Sequence, residues 1–305
     1  MSPSVLTRRN LLACCIGVGF SALALVLAPA CAADFRSERI KVTAEGDGRD
    51  VILIAGLNSS PRVWREMVRA VPGYRYHLVQ VAGFAGHARG GNAQGAVAAP
   101  VADEIARYIA AGRLDKPAVI GHSMGGTIGL MLAARHPELP SKLMVIDMLP
   151  FLGAMFGPPG TTSASVKPTA DLLLVQMRAA NAVTRRARVT AAIDSMVDTV
   201  AMRAGALDDA LNSDADVAAR AYHELLVTDL RPELDSISVP TTVLYVAPKA
   251  VALSAKKMDA WYASAYAPLK GATLKRIAGS AHFIMCDQAQ KFQTEVKVFL
   301  APAAP

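Results

Sequence analysis

Cysteine is scarce in this chain, with four in 305 residues, and three of them (Cys14, Cys15 and Cys31) fall within the first 31 positions. Beyond that stretch Cys286 stands alone, which excludes disulfide frameworks and cysteine-cluster metal sites there. Charged residues are also few, at 19%, against 52% apolar residues, so disorder as the dominant state is excluded. Internal repeats, sustained heptads and low-complexity tracts are missing, which removes solenoids and coiled coils. The basic excess (32 against 25, net +7) is spread along the chain rather than gathered. Its densest cluster, Arg185-Arg186 with Arg188, lies in helical sequence and reads as a solvated face, not a nucleic-acid site.

What is present begins with a leader. Arg8 and Arg9 precede a run from Leu11 to Leu27 without Asp, Glu, Lys, Arg or His, followed by the small residues Ala28, Ala30, Ala32 and Ala33. A basic start, an apolar middle and a small-residue end make residues 1–33 a signal peptide and the mature protein periplasmic or secreted. Thr7-Arg8-Arg9-Asn10-Leu11-Leu12 resembles the twin-arginine type, with ordinary export as the alternative. An uncleaved anchor is a second alternative, because the run is near the ~17-residue minimum for a spanning helix; the membrane then enters only through this segment. Without the leader, 272 residues remain, with a charge of about +5 and one thiol.

From about residue 40 to 147, short apolar runs alternate with helical stretches. Val51–Ala55, Tyr76–Val81, Pro117–Ile120 and Leu143–Ile146 read as buried strands, and Val63–Ala70, Val97–Ala111 and Thr127–His136 as helices. Strands that are apolar throughout and joined by helices predict an α/β fold, a mostly parallel sheet covered on both faces. The alternation stops between Leu149 and about Asp235, where the sequence is helical and Gly157–Pro168 reads as a loop. Strands return at Thr241–Val246 and Thr273–Ile277, before a closing helix, Gln288–Leu300. The expected organisation is a core of residues 34–147 and 237–305 carrying a helical lid at 148–236.

Gly121-His122-Ser123-Met124-Gly125-Gly126 is the most informative stretch. It follows the strand Ala118–Ile120 and precedes a helix, the setting in which a serine sits on a strained turn with its oxygen exposed. Small flanking residues are required where a side chain would collide across the turn. Together with Ala55-Gly56-Leu57-Asn58 and Gly279-Ser280-Ala281-His282-Phe283, this stretch resembles the α/β-hydrolase family over essentially the whole mature chain. The resemblance implies Ser123 as nucleophile and His282 as base. It implies an oxyanion hole from the backbone N–H groups of Leu57 and Met124. Of the other histidines, only His87, in a glycine-rich loop, is a serious rival to His282.

The acid departs from the usual pattern. Members of the family commonly carry it after the strand matching Thr241–Val246, but here Ala247-Pro248-Lys249-Ala250 follows. Asp147, at the end of Leu143–Ile146, is the preferred acid; Asp259, a dyad, or an acid from the lid are the alternatives. The expected reaction is hydrolysis of a small, fairly apolar carboxylic ester through an acyl-enzyme, without metal or organic cofactor. An amidase, aminopeptidase or lactonase would use the same machinery, and an inactive ligand-binding relative would explain the missing acid. Phe84, Phe151 and Phe283 are the expected substrate contacts; Leu57, Trp64, Met124, Met155 and Phe156 lie in segments near the same edge.

Overall fold

The computed structural model describes residues 35–247 and 254–302. The signal-peptide expectation for residues 1–33 and the segment Pro248-Lys249-Ala250 lie outside the described residues. Seven strands are described: β1 (Ile40–Glu45), β2 (Arg49–Ile54), β3 (Tyr74–Val81), β4 (Ala118–His122), β5 (Lys142–Ile146), β6 (Thr241–Tyr245) and β7 (Thr273–Arg276). They form one sheet in the order β1-β3-β2-β4-β5-β6-β7. Only the β1–β3 pair is antiparallel; the other pairs are parallel. β1 is absent from the strands expected above, because its burial is confined to Ile40 and part of Val42, as suits an edge strand.

Period-two alternation sends β2 residues to two cores. Ile52 and Ile54 join the cluster containing Val101, Ile105 and Ile109 of α2 (Ala98–Gly112) and Ile128 and Leu132 of α3 (Met124–Arg135). Val51 and Leu53 join Met67 of α1 (Arg65–Ala70) on the opposite face. Trp64, just before α1, stacks there on Phe292, their ring centroids 6.3 Å apart. The mostly parallel sheet covered by helices is therefore as expected.

Between β5 and β6 the described elements are helical: α4 (Ser163–Ala179), α5 (Ala182–Met196), α6 (Val200–Asn212) and α7 (Ala215–Val227), with 3-10 turns at Leu152–Phe156 and Arg231–Ser236. The loop expected over Gly157–Pro168 is corrected: α4 already begins at Ser163 and contains Pro168. Its start is set by a reciprocal cap, in which Ser165 N–H donates to Thr162 Oγ1 at 3.2 Å and Thr162 N–H to Ser165 Oγ at 2.9 Å. The chain closes with α8 (Ala255–Ala265), α9 (Ile284–Asp287) and α10 (Ala289–Leu300).

Three acidic side chains fasten the inserted helices to the loops at the C-terminal ends of the strands. Asp209 of α6 accepts from the N–H and Oγ of Ser60, after β2, at 3.0 and 2.6 Å. Glu224 of α7 takes the N–H groups of Val97, Ala98 and Ala99 at 2.6, 2.8 and 2.9 Å, capping α2 from another element. Asp287 of α9 accepts from Ala281 N–H on one side and from Asp198 and Thr199 N–H, between α5 and α6, on the other.

Candidate active site

Ser123 occupies the turn between β4 and α3 with φ +52° and ψ −121°. A non-glycine residue there costs on the order of 1–3 kcal/mol, so the surroundings must hold it. They do so through Ser123 N–H donating to Ile146 O (2.9 Å) and through Gly126 N–H donating to Ser123 O (2.7 Å). The need for glycine is steric: a Cβ at Gly121 would overlap Gly125 O, and one at Gly125 would overlap Ile54 O. Met124 opens α3, so its N–H has no acceptor four residues back, whereas those of Gly126 and Thr127 donate to Ser123 O. Leu57 follows Gly56, whose carbonyl accepts from Ser59 N–H at 3.1 Å in a tight turn beside the elbow.

Asp147 follows β5 with φ +48°, a second residue in the left-handed region at this edge. Its side chain has three partners among the described residues. His282 Nδ1 lies 2.6 Å from Oδ2, while Oδ1 accepts from Val246 N–H at 3.1 Å and from Tyr262 OH at 3.2 Å. Tyr262 of α8 is buried and stacks on Tyr245, with centroids 4.2 Å apart. Burial first, then the nearby Asp147 charge, push its phenol well above the usual tyrosine value, so it stays a proton donor. Tyr262 was not among the expected site residues; the available signal was the grouping of Tyr245, Tyr262 and Tyr266, three of the chain's seven tyrosines, around the β6–α8 region.

His282 lies in the loop after β7, its backbone held from both sides. His122 Nε2 donates to the His282 carbonyl at 3.1 Å, and Phe283 N–H donates to Met196 O of α5 at 3.1 Å. His122 is completely buried; desolvation, reinforced by the neighbouring His282, lowers its pKa well below the ordinary value and keeps it neutral. With Nδ1 of His282 directed to Asp147, Nε2 is the nitrogen left for Ser123.

The alternatives are placed elsewhere. Asp259 accepts from Tyr245 OH (2.9 Å) and Arg276 Nε (2.8 Å) and does not face His282. His87 is exposed and outside the cavity wall. His223 pairs with Asp171 at 2.8 Å within the inserted helices.

A cavity of about 780 Å³ joins these groups, with Ser123, Asp147 and His282 in its wall. Leu57, Met155, Phe156 and Phe283 line it as expected of their segments. Phe84 and Phe151 do not, and that expectation is corrected. Both are at most 1% exposed: Phe84 belongs to the core beside α2, and Phe151 packs under the Arg231 guanidinium, 4.7 Å from its ring centroid. Trp64 and Met124 are likewise core. The inserted helices and α8 add apolar wall through Leu173, Met177, Ile193, Met196, Met258 and Trp261, and the segments after β5 and β6 through Met148, Leu149 and Val246.

A mostly parallel sheet with a serine on a strained strand-to-helix turn, and helices inserted over the cavity beside it, defines a hydrolase of the α/β type. The chain belongs to the alpha/beta hydrolase fold family, whose model matches residues 51–288. It is 28% identical over 201 residues to a Serratia proteamaculans protein named for carbamate hydrolysis, RutD, covering 64% of this chain and 71% of that one. It is 31% identical over 121 residues to the pimeloyl-[acyl-carrier protein] methyl ester esterase of Aliivibrio salmonicida. That match covers 39% of this chain and less than half, 44%, of the relative. In structure it resembles the enol-lactonase of Burkholderia xenovorans LB400, with a TM-score of 0.68 and 18% identity over 86% of this chain and 96% of the other.

Proposed function

We propose that the protein hydrolyses small, fairly apolar carboxylic esters through an acyl-enzyme on Ser123, with His282 as base and Asp147 as the orienting acid. The observation that carries this is the 2.6 Å contact between His282 Nδ1 and Asp147 Oδ2 in the wall of the cavity that Ser123 also lines. In the mechanism, His282 Nε2 takes the Ser123 proton as Oγ forms a bond to the ester carbonyl carbon. The oxygen that becomes negative is met by the N–H groups of Leu57 and Met124. The C–O bond to the alcohol breaks as His282 returns the proton to it. Water, deprotonated by the same histidine, then releases the acid and restores Ser123. Asp147 holds the imidazole tautomer and the imidazolium charge.

The named activities of the relatives favour ester chemistry and leave a second reading, a carbamate or lactone carbonyl attacked by the same groups. An inactive ligand-binding protein is disfavoured, since Asp147 supplies the acid that the segment after β6 lacks. The reading is tested by Ser123→Ala, which lowers aryl-ester turnover by ~10⁴ or more. Unchanged turnover contradicts it.

A further inference from the structure

Charge in the inserted helices is unevenly satisfied. Arg178 and Arg220 share Asp216 at 2.6 and 2.9 Å, Arg203 pairs with Asp194 at 2.9 Å, and Arg231 with Asp229 at 2.6 Å. Lys167 pairs with Asp171 at 2.7 Å. α5 is the exception. Arg185 donates to the carbonyls of Ala210, Leu211 and Ser213, and Arg188 Nη1 donates to Gln176 O at 3.1 Å. Neither meets a carboxylate among the described residues.

Of this pair only Arg188 lines the cavity, and it is the sole lysine or arginine among the described residues of the wall. Its bond to Gln176 O, on the neighbouring α4, holds the guanidinium at the cavity and commits one of its five N–H donors. Arg188 stands eight residues before Met196 on α5, ~12 Å of helix from the carbonyl that meets Phe283 N–H, and the lid wall is mainly apolar, with Leu173, Met177, Val189, Ile193 and Met196 beside Gln176 and Ser195. Asp147, beside His282, carries the one acidic side chain of the wall among the described residues. The cavity is therefore polarised: an anion is repelled from Asp147 and attracted to Arg188.

We propose that the preferred substrate is an ester whose acyl chain ends in a carboxylate, which Arg188 binds while the apolar wall holds the methylenes. This inference rests on the serine-esterase reading above, and its test includes a binding arm that needs no turnover. A guanidinium fits a carboxylate bidentately, and such a pair gives orientation as well as affinity. Because Arg188 is exposed, the pair is screened and its effect is modest and salt-sensitive.

The experiment compares the 4-nitrophenyl monoester of adipic acid with 4-nitrophenyl hexanoate, which has the same chain length. The ratio of their kcat/KM values favours the adipate ester in the wild type. It falls about tenfold in Arg188→Met, or ~1.4 kcal/mol. It is intermediate in Arg188→Lys and unchanged in Arg186→Met, an exposed neighbour outside the cavity wall. In the binding arm, calorimetry on Ser123→Ala shows tighter binding of monomethyl adipate than of methyl hexanoate, and Arg188→Met in that background removes the difference. A wild type that prefers the hexanoate, equal losses in Arg188→Met and Arg186→Met, or equal binding of the two methyl esters overturns the proposal. If neither aryl ester is turned over while the binding difference depends on Arg188, the esterase reading fails and the anion site stands.

Discussion

At the residue scale, the proposed orienting acid is held by more than its histidine. Asp147 Oδ1 takes hydrogen bonds from Val246 N–H and Tyr262 OH, while Oδ2 faces His282. A hydrogen bond to a charged group is worth ~1.5–3 kcal/mol when measured by removal, so the phenol contributes to fixing the carboxyl plane. Tyr262→Phe keeps the stacked ring and deletes this bond. It is expected to lower kcat about tenfold with KM little changed, because the loss falls on the transition state. Wild-type kcat in that variant contradicts the positioning role. The turn that carries Ser123 and the loop position of His282 were legible in the sequence because glycines with no room for a Cβ mark the turn and the histidine follows the last strand. Tyr262 was not, because its helix carries no local signal of which face turns toward β5. Phe84 and Phe151 were misread for the same reason: nearness to the ligand edge in sequence does not say which way a ring points.

At the scale of elements, the inserted helices are tied by side chains to the loops they cover. Glu224 of α7 satisfies three N–H groups at the start of α2, a helix whose own N-cap, Val97, has no side-chain acceptor. Removing it leaves those donors unpaired beneath α7 and loosens the insertion from the core. Glu224→Ala is therefore expected to destabilise the protein by about 2–3 kcal/mol in urea denaturation, with Glu224→Gln losing less. A change within about 0.5 kcal/mol for the alanine variant contradicts this account of how the insertion is held. The strands β2 to β7 and the helical character of 148–236 were readable from periodicity and composition. The bolts were not, since Asp209, Glu224 and Asp287 look like ordinary surface acids until the fold brings each to a distant backbone.

For the molecule as a whole, two buried histidines are expected to make stability fall in mild acid. His77, hydrogen-bonded to Asp50 at 2.8 Å and Tyr108 at 2.7 Å, has its pKa lowered, chiefly by burial. His122 is lowered further by complete burial. Both folded values lie below the ordinary 6.5, so under more acidic conditions the unfolded chain binds more protons than the folded one. The stability these groups confer is full above 6.5 and is lost as pH falls through their folded values. The urea midpoint should fall between about pH 7.5 and about pH 5, and His77→Gln should flatten that fall. An unaltered slope in the variant removes His77 from the account. Among the described residues no helix is long and apolar enough to cross a membrane, and the proposed export of the chain by residues 1–33 is a separate question of processing.

Covalent capture of the nucleophile tests the central claim most directly. Intact-mass measurement after treatment with a fluorophosphonate should show one adduct per chain on the wild type, mapped to the peptide containing Ser123, and none on Ser123→Ala. An unlabelled wild type, or an adduct that persists in the alanine variant, contradicts the assignment of Ser123, His282 and Asp147 as the working site.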